Sequence, residues 1–232
     1  MTLQCILFDL DGTLLDTLPD LALAVNTVLA EEGRQPLAEA VIRMAVSDGA
    51  PGMVRLAFGE DQDKEDFARR MARLREVYLD HLTDRTRLFP GMETVLEDIE
   101  GRGLKWGIVT NKRRYMTIPL LRELGLLART DAVVCGDDTP LGKPNPQPLW
   151  LACREAGVEA TRCVYVGDAA RDIEAGRRAG MITVAVGYGY LAPEDKPERW
   201  GADHLIEHPG EIHSLLEGWL PTARPAGTVS AA

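Results

Sequence analysis

Past residue 89 the chain alternates between two kinds of segment, and this alternation restricts its fold more than any other feature. Residues 92–99, 115–124, 146–156 and 170–179 carry apolar side chains at helical spacing. Between and after them lie short apolar runs at 105–109, 132–135, 163–166 and 182–186, which read as buried strands. Glycines at 125, 157 and 180 follow three of the helices, where a left-handed C-terminal cap is expected. Strand and helix in strict alternation predict an α/β fold. It is a Rossmann-like, doubly wound parallel sheet with helices on both faces and right-handed crossovers. A first strand over residues 5–8 belongs to the same sheet, and no G-x-G-x-x-G follows it, which argues against a dehydrogenase-type dinucleotide site.

Residues 17–83 break the pattern. Helices are expected from Pro19 to about Gly33, over 38–45, over 51–58 and over 63–82, with no convincing strand among them. Pro19 suits a first helical turn and Thr17 can cap it. A helical block lodged between the first strand and the rest of an α/β core reads as an insertion. Residues 203–206 fit an edge strand and 211–219 a last helix, and 221–232 fit a flexible tail.

Composition narrows the function. The chain has 232 residues, enough for one sizeable core with a small second domain. A net charge of −10 argues against nucleic-acid partners, which need clustered basic residues. No apolar run approaches the ~20 residues that span a bilayer, and no signal-peptide pattern opens the chain, so no membrane partner and a cytoplasmic location are expected. The four cysteines, Cys5, Cys135, Cys153 and Cys163, form no C-x-x-C and read as buried reduced residues. The four histidines match no zinc spacing.

The first strand ends in Asp9-Leu10-Asp11-Gly12. In extended backbone, residues i and i+2 share a side, so both carboxylates can converge at the carboxyl end of the strand. In open parallel sheets that end binds ligands. Two crowded acids repel, and a divalent cation is the usual remedy; Mg²⁺ suits hard oxygen ligands. Gly12 allows a sharp turn and backbone N–H groups that can meet an anion.

Three further stretches follow later strands: Val109-Thr110-Asn111-Lys112, Gly142-Lys143-Pro144-Asn145-Pro146, and Val164-Tyr165-Val166-Gly167-Asp168 with Asp172 beyond. With Asp9–Gly12, in this order, they resemble the haloacid dehalogenase superfamily, in its phosphoglycolate-phosphatase-like branch. The resemblance implies a core of residues 1–16 and 84–220 and a helical cap of residues 17–83, with hinges near Asp16 and over 83–88. It implies Asp9 as nucleophile and Asp11 as general acid and base. Thr110, Asn111, Lys143 and Gly12 would bind phosphate, and Lys143 would also act in catalysis. Asp9, Asp168 and the Asp11 backbone carbonyl would hold Mg²⁺. Asp172 would act through water or from behind these ligands; the alternative is a carboxylate that serves its own helix N-terminus. Lys112 competes with Lys143 but reads better as a solvated residue at a helix start. Arg171 could pair with the neighbouring acids.

The resemblance implies a phosphoric monoester hydrolase acting on a small phosphate ester, as monomer or homodimer. The second acid of D-x-D argues against a dehalogenase, and the single lysine of the helical block, Lys64, argues against a phosphonatase. A sugar phosphomutase and a nonenzymatic regulator that kept the fold stay open. Selectivity is expected in the cap loop at Ser47, Asp48 and Gly49, with Arg43 or Arg55 holding a substrate carboxylate or lying on the surface. Ser47-Asp48-Gly49-Ala50, Arg87-Leu88-Phe89-Pro90-Gly91-Met92 and Gly187-Tyr188-Gly189-Tyr190 are similar to the N-acetylmuramic acid 6-phosphate phosphatases of cell-wall recycling. That ester is therefore the expected substrate, with 2-phosphoglycolate as the alternative.

Overall fold

The structure is a computed structural model that describes residues 3–219. The expected tail over 221–232 lies outside the described residues. Six parallel strands form the main sheet: β1 (Cys5–Phe8), β4 (Lys105–Val109), β5 (Ala132–Val134), β6 (Cys163–Gly167), β7 (Ile182–Val186) and β8 (His204–Ile206). Their order is β5-β4-β1-β6-β7-β8. Every residue of β1, β5 and β6 is buried, as expected of strands covered on both faces. Chain order reverses at β1, which pairs with β4 on one side and β6 on the other. The ends of these three strands therefore open into one crevice, the switch point where such sheets bind ligands.

Helices α5 (Met92–Gly101), α6 (Arg114–Glu123), α7 (Gln147–Ala156), α8 (Ala170–Ala179) and α9 (Glu211–Trp219) complete the layers. Strands and helices of this half fall within two residues of their expected places. Gly157 and Gly180 end α7 and α8 with φ of 66° and 77°.

Helices α1 (Leu18–Glu31), α2 (Glu39–Val46), α3 (Gly49–Phe58) and α4 (Lys64–Asp80) fill the expected helical block. α1 packs on α2 and α4, and α3 packs on α2 and α4. The block is entered and left through a small antiparallel pair, β2 (Leu15–Asp16) and β3 (Arg87–Leu88), too short to show as strands in the sequence. β2 includes Asp16, and β3 lies within 83–88. Asp20, fully buried in the first turn of α1, accepts the backbone N–H groups of Arg85 and Thr86 and the Thr86 hydroxyl. The start of the block is thereby tied to the strand that leaves it.

Two local expectations are corrected. Thr17 makes no cap bond to α1; its hydroxyl donates to the Asp11 carboxylate at 2.7 Å. The cap loop is shorter than expected because α3 already starts at Gly49. Gly52 lets α3 close onto α2: a Cβ there would lie 3.1 Å from the Ala45 carbonyl oxygen of α2 and 2.3 Å from the Asp48 Cβ at the start of α3. Pro51 sits in the first helical turn, where its missing N–H costs nothing.

Candidate active site

Asp9 and Asp11 leave the end of β1, Thr110 the end of β4, and Asp168 the end of β6. Asp9 is almost fully buried, and its backbone N–H continues the sheet by donating to Val166. Its carboxylate accepts the Leu10 N–H at 2.7 Å and meets the Lys143 ammonium at 2.8 Å. Lys143 also meets Asp172 at 2.7 Å, the Val109 carbonyl at 3.0 Å and the Tyr165 hydroxyl at 2.9 Å. Burial weakens its hold on the proton, but the charges of Asp172 and Asp9 outweigh that and raise its pKa.

Carboxylate oxygens of Asp9, Asp168 and Asp172 lie within 4.8 Å of one another, all buried. Burial, above all, raises the pKa of Asp9 to about 6 and that of Asp168 to about 7. Lys143 opposes the rise at Asp9, while neighbouring acids add to it at both. A buried trio of hard oxygen donors is a fit for a divalent cation. Asp172 joins the trio directly while bonding Lys143 and the Ala169 N–H. The Asp11 carboxylate turns away from the trio.

Asp11 instead meets the Lys112 ammonium at 2.8 Å and the Thr17 hydroxyl at 2.7 Å. The reading of Lys112 as a solvated helix-start residue is overturned. Its side chain is only 6% exposed, and its ammonium also bonds the Tyr78 hydroxyl of α4 at 2.9 Å. Burial works against its charge, but Asp11 and then Tyr78 more than compensate and raise its pKa. Burial likewise pushes the Tyr78 hydroxyl up to about 12. Thr110 is buried, and its hydroxyl accepts the Lys112 N–H, which steers this turn.

Asn111 acts as a staple. Its side-chain amide donates to the Lys143 carbonyl and accepts the Lys143 N–H. Gly142 makes room for it, since a Cβ there would lie 2.8 Å from the Asn111 Oδ1. The Lys143–Pro144 peptide is cis. Gly12 holds a φ of 85°, and its N–H donates to the Leu15 carbonyl, so that N–H is not open to an anion as the sequence reading had it. Its part is spatial: a Cβ would lie 2.1 Å from Asp168 Oδ2.

A cavity of about 390 Å³ opens over Asp9, Asp11, Thr110, Asn111 and Lys112. The helical block supplies much of its wall, including Ser47, Asp48, Gly49, Met53, Leu74 and Tyr78. Ser47 also donates to the Tyr190 carbonyl. Neither Arg43 nor Arg55 lines the cavity. Arg43 donates to the carbonyls of Tyr188 and Gly189 and lies over the Tyr190 ring, and Arg55 pairs with Glu60 and lies over Phe67. Arg43 is spent on tying the block to the core and Arg55 on contacts within the block, so the carboxylate-holding role expected of them has no geometric basis. Lys143 and Asp168 stand behind Asp9, outside the cavity wall.

Sequence reasoning did not assign four residues that the structure brings here. Tyr165, Tyr78, Arg75 and Arg113 give no local signal, because a tyrosine in a strand or an arginine on a helix is ordinary. From the sequence, Arg171 is expected only as a partner for acids. It lines the cavity, and its Nε is the one buried side-chain nitrogen or oxygen without a hydrogen-bond partner among the described residues.

Comparison with known proteins agrees with this geometry. The chain is 41% identical over 220 residues to an N-acetylmuramic acid 6-phosphate phosphatase of Pseudomonas putida, covering 95% of this chain and 99% of the relative. It is also 41% identical over 225 residues to a phosphoglycolate phosphatase of Xanthomonas campestris, covering 96% and 97%. Its fold is similar to the crystal structure of a predicted phosphoglycolate phosphatase from Haemophilus somnus, with a TM-score of 0.83, 26% identity, and coverage of 93% and 98%. The sequence pattern of haloacid dehalogenase-like hydrolases matches residues 6–186, and the chain belongs to that family.

Proposed function

We propose that the chain is a Mg²⁺-dependent phosphomonoesterase that works through an aspartyl-phosphate, and that its substrate is N-acetylmuramic acid 6-phosphate. The observation that carries the reading is the placement of Asp9, Asp11 and Thr110 on the floor of one cavity, at the switch point of the sheet. Asp9 attacks phosphorus; the new O–P bond forms as the ester P–O bond breaks. Asp11 gives a proton to the departing alkoxide and then takes one from the water that hydrolyses the acyl phosphate. Thr110 donates its hydroxyl to a phosphate oxygen. Lys143 holds the Asp9 carboxylate in place and offsets its charge. The unpartnered Nε of Arg171 marks that guanidinium as a further donor to the phosphate. Asp9, Asp168 and the Asp11 backbone carbonyl would hold Mg²⁺, with Asp172 beside them on Lys143 and the Ala169 N–H; when bound, the ion supplies positive charge against crowded acids and phosphate.

Helices α1–α4 form a cap over residues 17–83, with β2 and β3 as its hinge, and the core comprises 1–16 and 84–220. The four buried free cysteines accord with a reducing cytoplasm. Among the described residues, no helix is long and apolar enough to cross a membrane.

The size of the cavity favours the sugar ester. At about 390 Å³ it falls within the range of small-molecule sites, and a two-carbon acid would leave most of it to water. Its walls mix apolar side chains with Ser47 and Asp48, which suits a sugar ring with its hydroxyls. The alternative, 2-phosphoglycolate, draws support from the equally similar Xanthomonas relative. Phosphate release with Mg²⁺ from N-acetylmuramic acid 6-phosphate, 2-phosphoglycolate, glucose 6-phosphate and a nucleoside monophosphate tests the reading, beside Asp9→Asn. The expected outcome is a strong preference for the first ester and an inactive Asp9→Asn. A preference for 2-phosphoglycolate would overturn the substrate, and no release from any ester would overturn the phosphatase.

A further inference from the structure

We propose that Arg75 and Arg113 form a two-armed clamp for a carboxylate on the leaving group, so that the enzyme selects acidic phosphate esters. This rests on the phosphatase reading and adds the residues that choose the substrate.

Both arginines line the cavity that holds Asp9 and Thr110. Arg75 comes from α4 in the helical block, and Arg113 is the residue just before α6 in the core. One contact brings their elements together. Lys112, adjacent to Arg113, bonds the Tyr78 hydroxyl at 2.9 Å and lies 4.4 Å from the centre of its ring. Tyr78 is three residues on from Arg75, and residues at that spacing share a helix face. Arg113 thus follows one partner of this contact in the chain, Arg75 lies one helical turn before the other, and both line the same cavity.

Their lack of partners is unusual for their surroundings. The other arginines of the helical block all have one: Arg69 and Arg70 share Glu32, and Arg73 pairs with Glu31. Arg34 lies over Phe58, while Arg43 and Arg55 are held as described above. In a chain of net charge −10, acids for pairing are abundant. Yet the guanidiniums of Arg75 and Arg113 form no ion pair or hydrogen bond among the described residues, although the exposed Asp48 lines the same cavity. Two unpaired, planar forks in one cavity match a carboxylate, which each can bind through two parallel N–H donors. The phosphate end is served separately from the cavity floor, so the clamp reads the opposite end of the ester.

A comparison on the substrate side tests this. N-acetylmuramic acid 6-phosphate and N-acetylglucosamine 6-phosphate share ring, amide and phosphate, and only the first carries the lactyl carboxylate. Steady-state kinetics would be measured for wild type, Arg75→Gln, Arg113→Gln and the double variant with both esters. The clamp predicts that each single change raises KM for the acidic ester about tenfold, while values for the neutral ester stay within about twofold. The double variant should treat the two esters nearly alike. Equal losses on both esters would indicate general attraction of phosphate and overturn the clamp, as would unchanged KM values. If wild type prefers 2-phosphoglycolate, 2-hydroxyethyl phosphate replaces the neutral ester and the same outcomes apply. If wild type turns over nothing, the phosphatase reading fails by itself. Calorimetry of N-acetylmuramic acid 6-phosphate on Asp9→Asn, with and without the arginine changes, then decides the clamp: affinity lost with the arginines supports it, and unchanged or absent binding ends it.

Discussion

Asp168 shows how single residues set this site. Its carboxylate is wedged between two glycines: a Cβ on Gly12 would lie 2.1 Å from its Oδ2, and one on Gly189 2.2 Å from its Cβ. It accepts the Tyr190 N–H at 2.8 Å and the Thr13 hydroxyl at 3.3 Å, so its position is fixed from several sides. Gly12→Ala would force a methyl group into this space and hold a left-handed φ at a cost of about 1–3 kcal/mol. The expected outcome is a lower melting temperature and loss of most activity, with Mg²⁺ no longer raising the melting temperature as it should in wild type. A wild-type Mg²⁺ shift in this variant would argue against Asp168 as a ligand. Asp9→Asn belongs to the same scale, since it removes a buried charge that Lys143 needs. The D-x-D-G pattern made Gly12 visible in the sequence as a turn, but its service to Asp168, which comes from another strand, was not.

Among the helices, α1 and α4 are joined by an ion pair as well as by packing. Arg70 donates twice to Glu32 through its Nε and once through a terminal nitrogen, and it stacks on Phe58 at 4.2 Å. Its bonds hold the Glu32 carboxyl below the ordinary value of 4.5, despite opposition from burial. A carboxyl whose pKa is lowered by folding stabilises the fold above its unfolded value and ceases to do so as the pH falls through its folded one. Glu32→Gln should therefore cost about 1–2 kcal/mol at pH 7. Its deficit against wild type in urea melts should shrink steadily below pH 4.5. A deficit of equal size at pH 7 and pH 3 would contradict this. The helices themselves were legible from their apolar spacing, but the register of α1 on α4 depends on residues 38 apart in the chain.

At the scale of the whole molecule, the helical block and the sheet meet over Asp11. Lys112 of the core spans from Asp11 to Tyr78 of α4, and Thr17, at the entrance to the block, also bonds Asp11. The proposed acid and base is thus tied to the position of the block. Tyr78→Phe keeps the ring and removes one bond to Lys112, worth about 1 kcal/mol. On the proposed mechanism kcat falls about fivefold with KM little changed. Unchanged kcat would mean that the bridge has no part in placing Asp11. The sequence by itself determined the alternating α/β core, the inserted helices and the motif residues at strand ends. These follow from periodicity and from chemistry packed into short, contiguous stretches. It could not show that Lys112 is buried, that Arg43 and Arg55 are spent on packing, or that Asp172 joins the acid trio. Nor could it show that Arg75 and Arg113 share a cavity. Each of these depends on which distant side chain fills the space opposite, and only the packing of the helical block against the switch point decides that.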